Sequence, residues 1–256
     1  MANLDIELVP LLKDNYAYLV RDRATAATAI VDPSEATPVL AALNSRGWKL
    51  THVLNTHHHW DHSGGNLELK AATGCTIVGP APDRERIPGI DIALGDGDRF
   101  EFGAATAQVL FIPGHTRGHI AFWFADDAAL FCGDTLFAMG CGRMFEGTAP
   151  QMWASLDKLR RLPPGTRVYC GHEYTQANAK FALTIEPDNA DLGVRAKQVN
   201  ALRAQGRPTI PSTMGEERAT NPFLRADQPA VARAVGLTGA DPAAVFAEVR
   251  KRKDNF

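Results

Sequence analysis

The amino-acid sequence predicts an α/β fold followed by a helical C-terminal part. Two observations carry this expectation. Through the first 173 residues, short β-rich runs repeatedly end in a histidine or an aspartate, whereas from about residue 174 Ala, Gln, Lys and Arg dominate. The chain of 256 residues is long enough to bury a substantial core, and its composition (45% hydrophobic, 22% charged) is that of a soluble globular protein. A net charge of −2 gives no general attraction to nucleic acid or to an anionic membrane, so neither is expected as a partner. No apolar run approaches the ~20 residues that a bilayer-crossing helix needs. The segment Met1–Glu7 is acidic and lacks the apolar stretch of a signal peptide, so the cytoplasm is the expected compartment. The four cysteines, Cys75, Cys132, Cys141 and Cys170, contain no C-x-x-C pair and read as buried reduced thiols.

In chain order, residues 15–21 and 27–32 read as neighbouring strands closed by the turn residues Asp32-Pro33-Ser34. A helix over 35–46 places Val39, Leu40 and Leu43 on one face and stops at Gly47. A repeated grammar follows. The run 51–56 ends in His57, 109–114 in His115, 128–133 in Asp134 and 167–171 in His172. Three of these ligand-type residues directly follow a glycine, which lets the backbone turn sharply at a strand tip. Loops at strand ends are where a rigid scaffold usually presents a site. Residues 174–206 read as helices broken at Glu186-Pro187-Asp188, followed by the Pro-containing connector 207–212. Asp241-Pro242 then opens a last helix with Val245, Phe246 and Val249 on its apolar side. The division predicted is a catalytic domain at 1–173 and a helical domain at 174–256.

The chemistry concentrates in Thr56-His57-His58-His59-Trp60-Asp61-His62. Imidazole nitrogen and carboxylate oxygen without thiolate suit zinc, iron or manganese in a reactive rather than a structural site. His57 and His59 are two apart, so an extended chain points both to one side, and His58 points the other way. Asp61 and His62 follow as the chain turns towards Gly64-Gly65. His52 is expected to lie outside the ligand set. His119 is expected to orient a ligand rather than to be one. Asp134 is the natural bridging ligand, because a carboxylate has two oxygens.

His57-x-His59-x-Asp61-His62, with His115, Asp134 and His172 downstream, resembles the metal motif of the metallo-β-lactamase superfamily, whose fold is an αββα sandwich. Across nearly the whole chain the sequence resembles the hydroxyacylglutathione hydrolase (glyoxalase II) family. The resemblance rests on 14–16, 56–62, 133–137, Cys141-Gly142, Glu146-Gly147-Thr148, 169–174, Asn221-Pro222-Phe223 and Lys253-Asp254. It implies two divalent ions per chain, zinc first and iron or manganese as alternatives. His57, His59 and His115 would hold one ion, Asp61, His62 and His172 the other, and Asp134 would bridge them, with Asp61 and Asp134 the acidic groups expected in catalysis. It implies that a hydroxide formed between the ions attacks the carbonyl of S-D-lactoylglutathione, giving glutathione and D-lactate in the second step of methylglyoxal detoxification. The helical domain would grip glutathione, Arg250 and Lys253 taking its glycine carboxylate, and Arg143 and Tyr174 would be further substrate contacts. Taken alone, 249–254 reads as a solvated helix end favoured by the helix dipole. Two departures from the family pattern are Arg143 in place of Lys and Phe145 in place of Tyr, the second without a hydroxyl to hydrogen-bond the peptide. A monomer is expected. The alternative reading is a persulfide dioxygenase of the same superfamily with a single iron, against which the full second ligand set and the basic pair speak.

Overall fold

The structure, a computed structural model, describes residues 3–256. The chain separates into two compact units. One is made of the chain up to Phe111 together with Thr116–Gly133, and the other of Ile112–His115 with Asp134–Phe256.

The first unit begins with β1 (Leu4–Leu11), β2 (Asn15–Asp22), β3 (Thr28–Val31), α1 (Ala36–Arg46) and β4 (His52–Leu54). It continues with α2 (Trp60–Ser63), α3 (Asn66–Thr73), β5 (Thr76–Pro80) and β6 (Ile92–Leu94). The six strands form one sheet in sequence order, antiparallel from β1 to β3 and parallel from β3 to β6. The parallel part needs crossovers, and α1 supplies the first, ending at Gly47 in the left-handed conformation (φ 64°). Strands β7 (Arg99–Phe102), β8 (Ala105–Phe111), β9 (Ile120–Phe124) and β10 (Ala129–Gly133) make an antiparallel meander.

Alternation along the strands explains the layering. Ala17, Leu19, Ile30 and Val53 pack with Val39 and Leu43 of α1 and Leu69 of α3, with Leu40 partly buried against them. The intervening side chains face the meander: Tyr18 meets Phe131 at 5.6 Å between ring centroids, and His52 lies 5.6 Å from both Phe100 and Phe102. A strand buried on both faces needs apolar residues at successive positions, and β3 is buried throughout.

The second unit contains β11 (Leu136–Phe137), β12 (Gly140–Cys141), α4 (Ala149–Arg160), β13 (Arg167–Cys170) and α5 (Thr175–Ile185). After these come α6 (Ala190–Ala204), β14 (Ser212–Thr213), α7 (Met214–Thr220), α8 (Pro229–Ala234) and α9 (Pro242–Asp254). The break between α5 and α6 falls at Pro187, and Asn189 caps α6 by accepting from Leu192 N at 3.1 Å. Asp241 caps α9 through Ala243 N at 2.8 Å. Val245, Phe246 and Val249 are buried, with Phe246 packed on Phe223 and near Trp153 of α4.

A buried polar knot fixes the β11–β12 hairpin. Glu217 of α7 is fully buried and accepts from Met139 N (2.8 Å), from Asn221 Nδ2 (3.0 Å) and from the Arg195 guanidinium of α6. Asn221 also donates to Gly140 O at 2.9 Å, and Asn178 of α5 donates to Ala138 O at 3.1 Å. Met139 sits at φ 53°, a conformation that a non-glycine residue holds only when its surroundings fix it. Glu217→Ala leaves Arg195 buried without its counter-charge and is expected to cost about 3–5 kcal/mol in urea unfolding. A loss below about 1 kcal/mol, the range of exposed pairs, would contradict this reading of the knot.

Candidate metal centre

Each unit carries part of the predicted ligand set. In the first unit, β3 and β4 run parallel, so the residues just beyond their tips lie side by side. Asp32 follows β3 and accepts from Thr56 twice, from the backbone N at 2.8 Å and from Oγ1 at 2.7 Å. The Thr56 hydroxyl has one proton and gives it to Asp32, so towards His57 Nδ1, 3.0 Å away, it accepts. His62 Nδ1 lies 3.3 Å from Asp32 Oδ2 and donates to it. Both rings therefore carry their proton on Nδ1 and present the Nε2 lone pair, the form in which imidazole binds a metal. His57 and His62 are almost fully buried, with ring centroids 4.3 Å apart, and His59 lies 4.8 Å from His57.

Asp61 is held from both ends: Asn15 Nδ2 donates to its backbone O at 3.0 Å and to Oδ2 at 3.1 Å, and Ser34 Oγ donates to the same backbone O. Asn55 donates to His62 O at 2.8 Å. Asp61 Oδ2 and His62 Nε2 lie 3.5 Å apart. Two donor atoms, each ~2.1 Å from one ion at a tetrahedral angle, are separated by about 3.4 Å, so this pair fits a shared ion. Gly133 closes β10 at φ 47°, and a Cβ there would lie 2.2 Å from Thr56 Oγ1. Glycine at that tip leaves the hydroxyl of the relay its space.

In the second unit Asp134 meets two histidines. Its Oδ2 lies 3.5 Å from His115 Nε2 and 3.3 Å from His172 Nε2. His115 Nδ1 donates to Arg143 O at 2.8 Å, which again leaves Nε2 as the lone-pair nitrogen. His172 stacks on Tyr174 with centroids 4.6 Å apart and planes 3° from parallel, and Phe145, which is exposed, lies edge-on to His115 at 5.2 Å. The donor set is imidazole and carboxylate throughout, which fits hard-to-borderline divalent ions.

The basic residues gather on α9. Arg250 is 4% exposed rather than solvated at a helix end: its guanidinium donates to Cys141 O at 3.0 Å and pairs with Asp254 Oδ1 at 2.9 Å. Arg143 Nε lies 3.8 Å from the same Asp254 oxygen. Lys253 donates to Ala177 O at 3.2 Å. Burial, with Arg250 and Arg143 nearby, lowers the Lys253 pKa below the ordinary lysine value. Three cations around one carboxylate make a cluster suited to a further anion.

His58, His52 and His119 are placed elsewhere. His58 Nδ1 lies 3.2 Å from Asp83 Oδ2, and His52 packs among the rings of Phe100 and Phe102 with Nδ1 on Thr51 Oγ1. His119 stacks 4.6 Å from His57 and sets its Nδ1 3.1 Å from Ile120 O. The four cysteines are buried and none is joined in a disulfide. Burial pushes the Cys141 thiol up to about 11 and that of Cys170 up to about 12, so neither is a thiolate at neutral pH. Asp32, the hub of the relay, is read from sequence only as a turn residue. Its signal is the same as that of the ligands, a polar residue at the tip of a buried strand.

The sequence matches two family models, the metallo-β-lactamase superfamily over residues 12–172 and the hydroxyacylglutathione hydrolase C-terminus over 173–256. It is 63% identical over 253 residues to a hydroxyacylglutathione hydrolase of Methylococcus capsulatus, covering 99% of both chains. Over 256 residues it is 61% identical to that of Rhodospirillum rubrum, covering 100% of both. Among solved structures, TTHA1623 in a di-iron-bound form is similar with a TM-score of 0.61 and 27% identity, over 86% of this chain and 99% of that one. Asp32→Ala would free both Nδ1 positions of the relay and is expected to weaken metal binding about 10–100-fold. Zinc transfer to a chromophoric chelator measures this, and an unchanged affinity would remove Asp32 from the role.

Proposed function

Because the chain belongs to the hydroxyacylglutathione hydrolase family of the metallo-β-lactamase superfamily, we propose that it hydrolyses S-D-lactoylglutathione, and related S-2-hydroxyacylglutathiones, to glutathione and the free 2-hydroxy acid. The observation that carries this reading is Asp134, whose Oδ2 stands within 3.5 Å of the metal-binding nitrogens of two histidines. His57, His59 and His115 would hold one divalent ion, Asp61, His62 and His172 a second, and Asp134 both. Bound there, the pair supplies an acidified water and a positive charge beside the thioester carbonyl. Zinc is our assignment for the pair, on the nitrogen and oxygen donors, which iron and manganese also accept.

The residues of the chain supply orientation. The Asp32–Thr56 relay and the Arg143 carbonyl keep Nε2 of His57, His62 and His115 aprotic and aimed. Arg250, Lys253 and Arg143 would receive a carboxylate of glutathione, and Tyr174, flat on His172, would border the bound peptide. Phe145 offers that peptide a ring but no hydroxyl. No proton donor for the leaving group is required, since a thiol pKa near ~8.5 lets the thiolate depart unaided. We propose that residues 1–173 bear the chemistry and 174–256 the grip on glutathione. A cytoplasmic setting is supported by the four buried thiols, none of them in a disulfide. Among the described residues no helix is long and apolar enough to cross a membrane.

Purified, metal-replete protein is expected to remove the ultraviolet absorbance of the S-D-lactoylglutathione thioester, and both a chelator and Asp134→Ala should abolish the loss. A thioester that survives metal-replete protein would sink the reading. The lowered pKa of Lys253 adds a pH dependence. An anion is bound by the charged ammonium, so KM is expected to rise as pH climbs through that lowered pKa, below the range of an ordinary lysine. Lys253→Arg keeps its charge and should shift the rise to higher pH. A KM profile identical in both proteins would show that Lys253 does not meet the anion.

A further inference from the structure

The structure holds a second buried carboxylate near the ligand loop that the proposed reaction does not use. Asp83 lies in the 3-10 turn Ala81–Arg86 and is 1% exposed. Burying a carboxylate is costly unless its oxygens are satisfied, and here three side chains do so. His58 Nδ1 lies 3.2 Å from Oδ2, Arg86 Nη1 donates to Oδ1 at 3.2 Å, and Arg117 Nε to the same oxygen at 3.4 Å. The Arg86 guanidinium also donates to His58 Nε2, which fixes that ring with its proton on Nδ1, facing Asp83.

These partners are chain neighbours of metal ligands. His58 stands between His57 and His59 in the turn that joins β4 to α2, with its ring 4.8 Å from that of His59. Anchoring that side chain restrains the turn between β4 and α2, and with it the direction of both ligands. Arg117 is two residues from His115. The backbone just after Arg117 runs so close to the carboxylate that a Cβ on Gly118 would lie 2.3 Å from Asp83 Cγ. Arg117 is 65% exposed, so its ion pair is weak, and the approach at Gly118 is the tighter tie.

We propose that Asp83 is a positioning residue for one of the two ions, the one assigned to His57, His59 and His115, because one carboxylate restrains the segments beside all three. The proposal rests on the metal assignment made above. Asp32, by contrast, touches His62 as well as Thr56, so its loss reaches both ion sites, whereas the loss of Asp83 should reach one.

The test is zinc released from the full-length protein to a chromophoric chelator, with thioester KM measured on the same samples. Asp83→Asn and His58→Ala are each expected to weaken one of the two zinc ions about 10–100-fold. The other ion and KM should stay as in the unchanged protein. The double variant should be no worse than the more damaging single one, since both act through one contact. Two zinc ions held with unchanged affinity in both variants would overturn the proposal. So would loss of both ions in parallel with a lower unfolding temperature of the metal-free protein, which is the mark of a merely structural residue. Failure of the unchanged protein to take up any zinc would overturn the metal assignment and this proposal together.

Discussion

The site depends on which nitrogen of each imidazole carries the proton. A histidine binds a metal only through a lone pair, and a free ring divides its proton between two nitrogens. In the first unit one carboxylate removes that freedom twice, directly at His62 and through the Thr56 hydroxyl at His57. The relay works only with Asp32 and Thr56 side by side. They are adjacent because β3 and β4 are parallel neighbours whose tips fall at the same level. Sheet topology thus reaches the chemistry through two hydrogen bonds rather than through general shape.

The second unit meets the same requirement with backbone. His115 gives its Nδ1 proton to the carbonyl of Arg143, and Asp134 stands at the start of the β11–β12 hairpin that leads to that residue. The hairpin is short and could not hold its position by ladder bonds alone. The buried carboxylate of Glu217 and the amides of Asn178 and Asn221 take over that task. Helix α9 adds to that hold, since Arg250 of the cationic cluster donates to Cys141 O of the same hairpin.

Most of the fold was legible in the sequence, as were the His and Asp residues at the strand tips, for physical reasons. Strand periodicity, Gly47 at a helix end, Asp241-Pro242 at a helix start and four strand tips ending in His or Asp are local signals, and local signals survive in a linear reading. What escaped depends on residues far apart in sequence. Asp32 reads as an ordinary turn residue until β4 is laid beside β3. Arg250 reads as a solvated helix end, yet it is buried against Cys141, which lies 109 residues away. Asp83 belongs to a turn with no periodicity at all. His58 is expected to point away from the ligands; its ring lies 4.8 Å from that of His59, and its partners Asp83 and Arg86 could not be named before the structure placed them.

The knot around Glu217 has a consequence for how such a sequence changes over generations. Arg195, Glu217, Thr220 and Asn221 satisfy one another in a space closed to water. Any one of them altered alone strands a charge or an amide, while an apolar replacement of the ion pair together is far less costly. These positions should therefore change together rather than singly. Divergence among relatives should accumulate freely on the outer faces of α6 and α7 and in coordinated jumps, or not at all, on the inner ones.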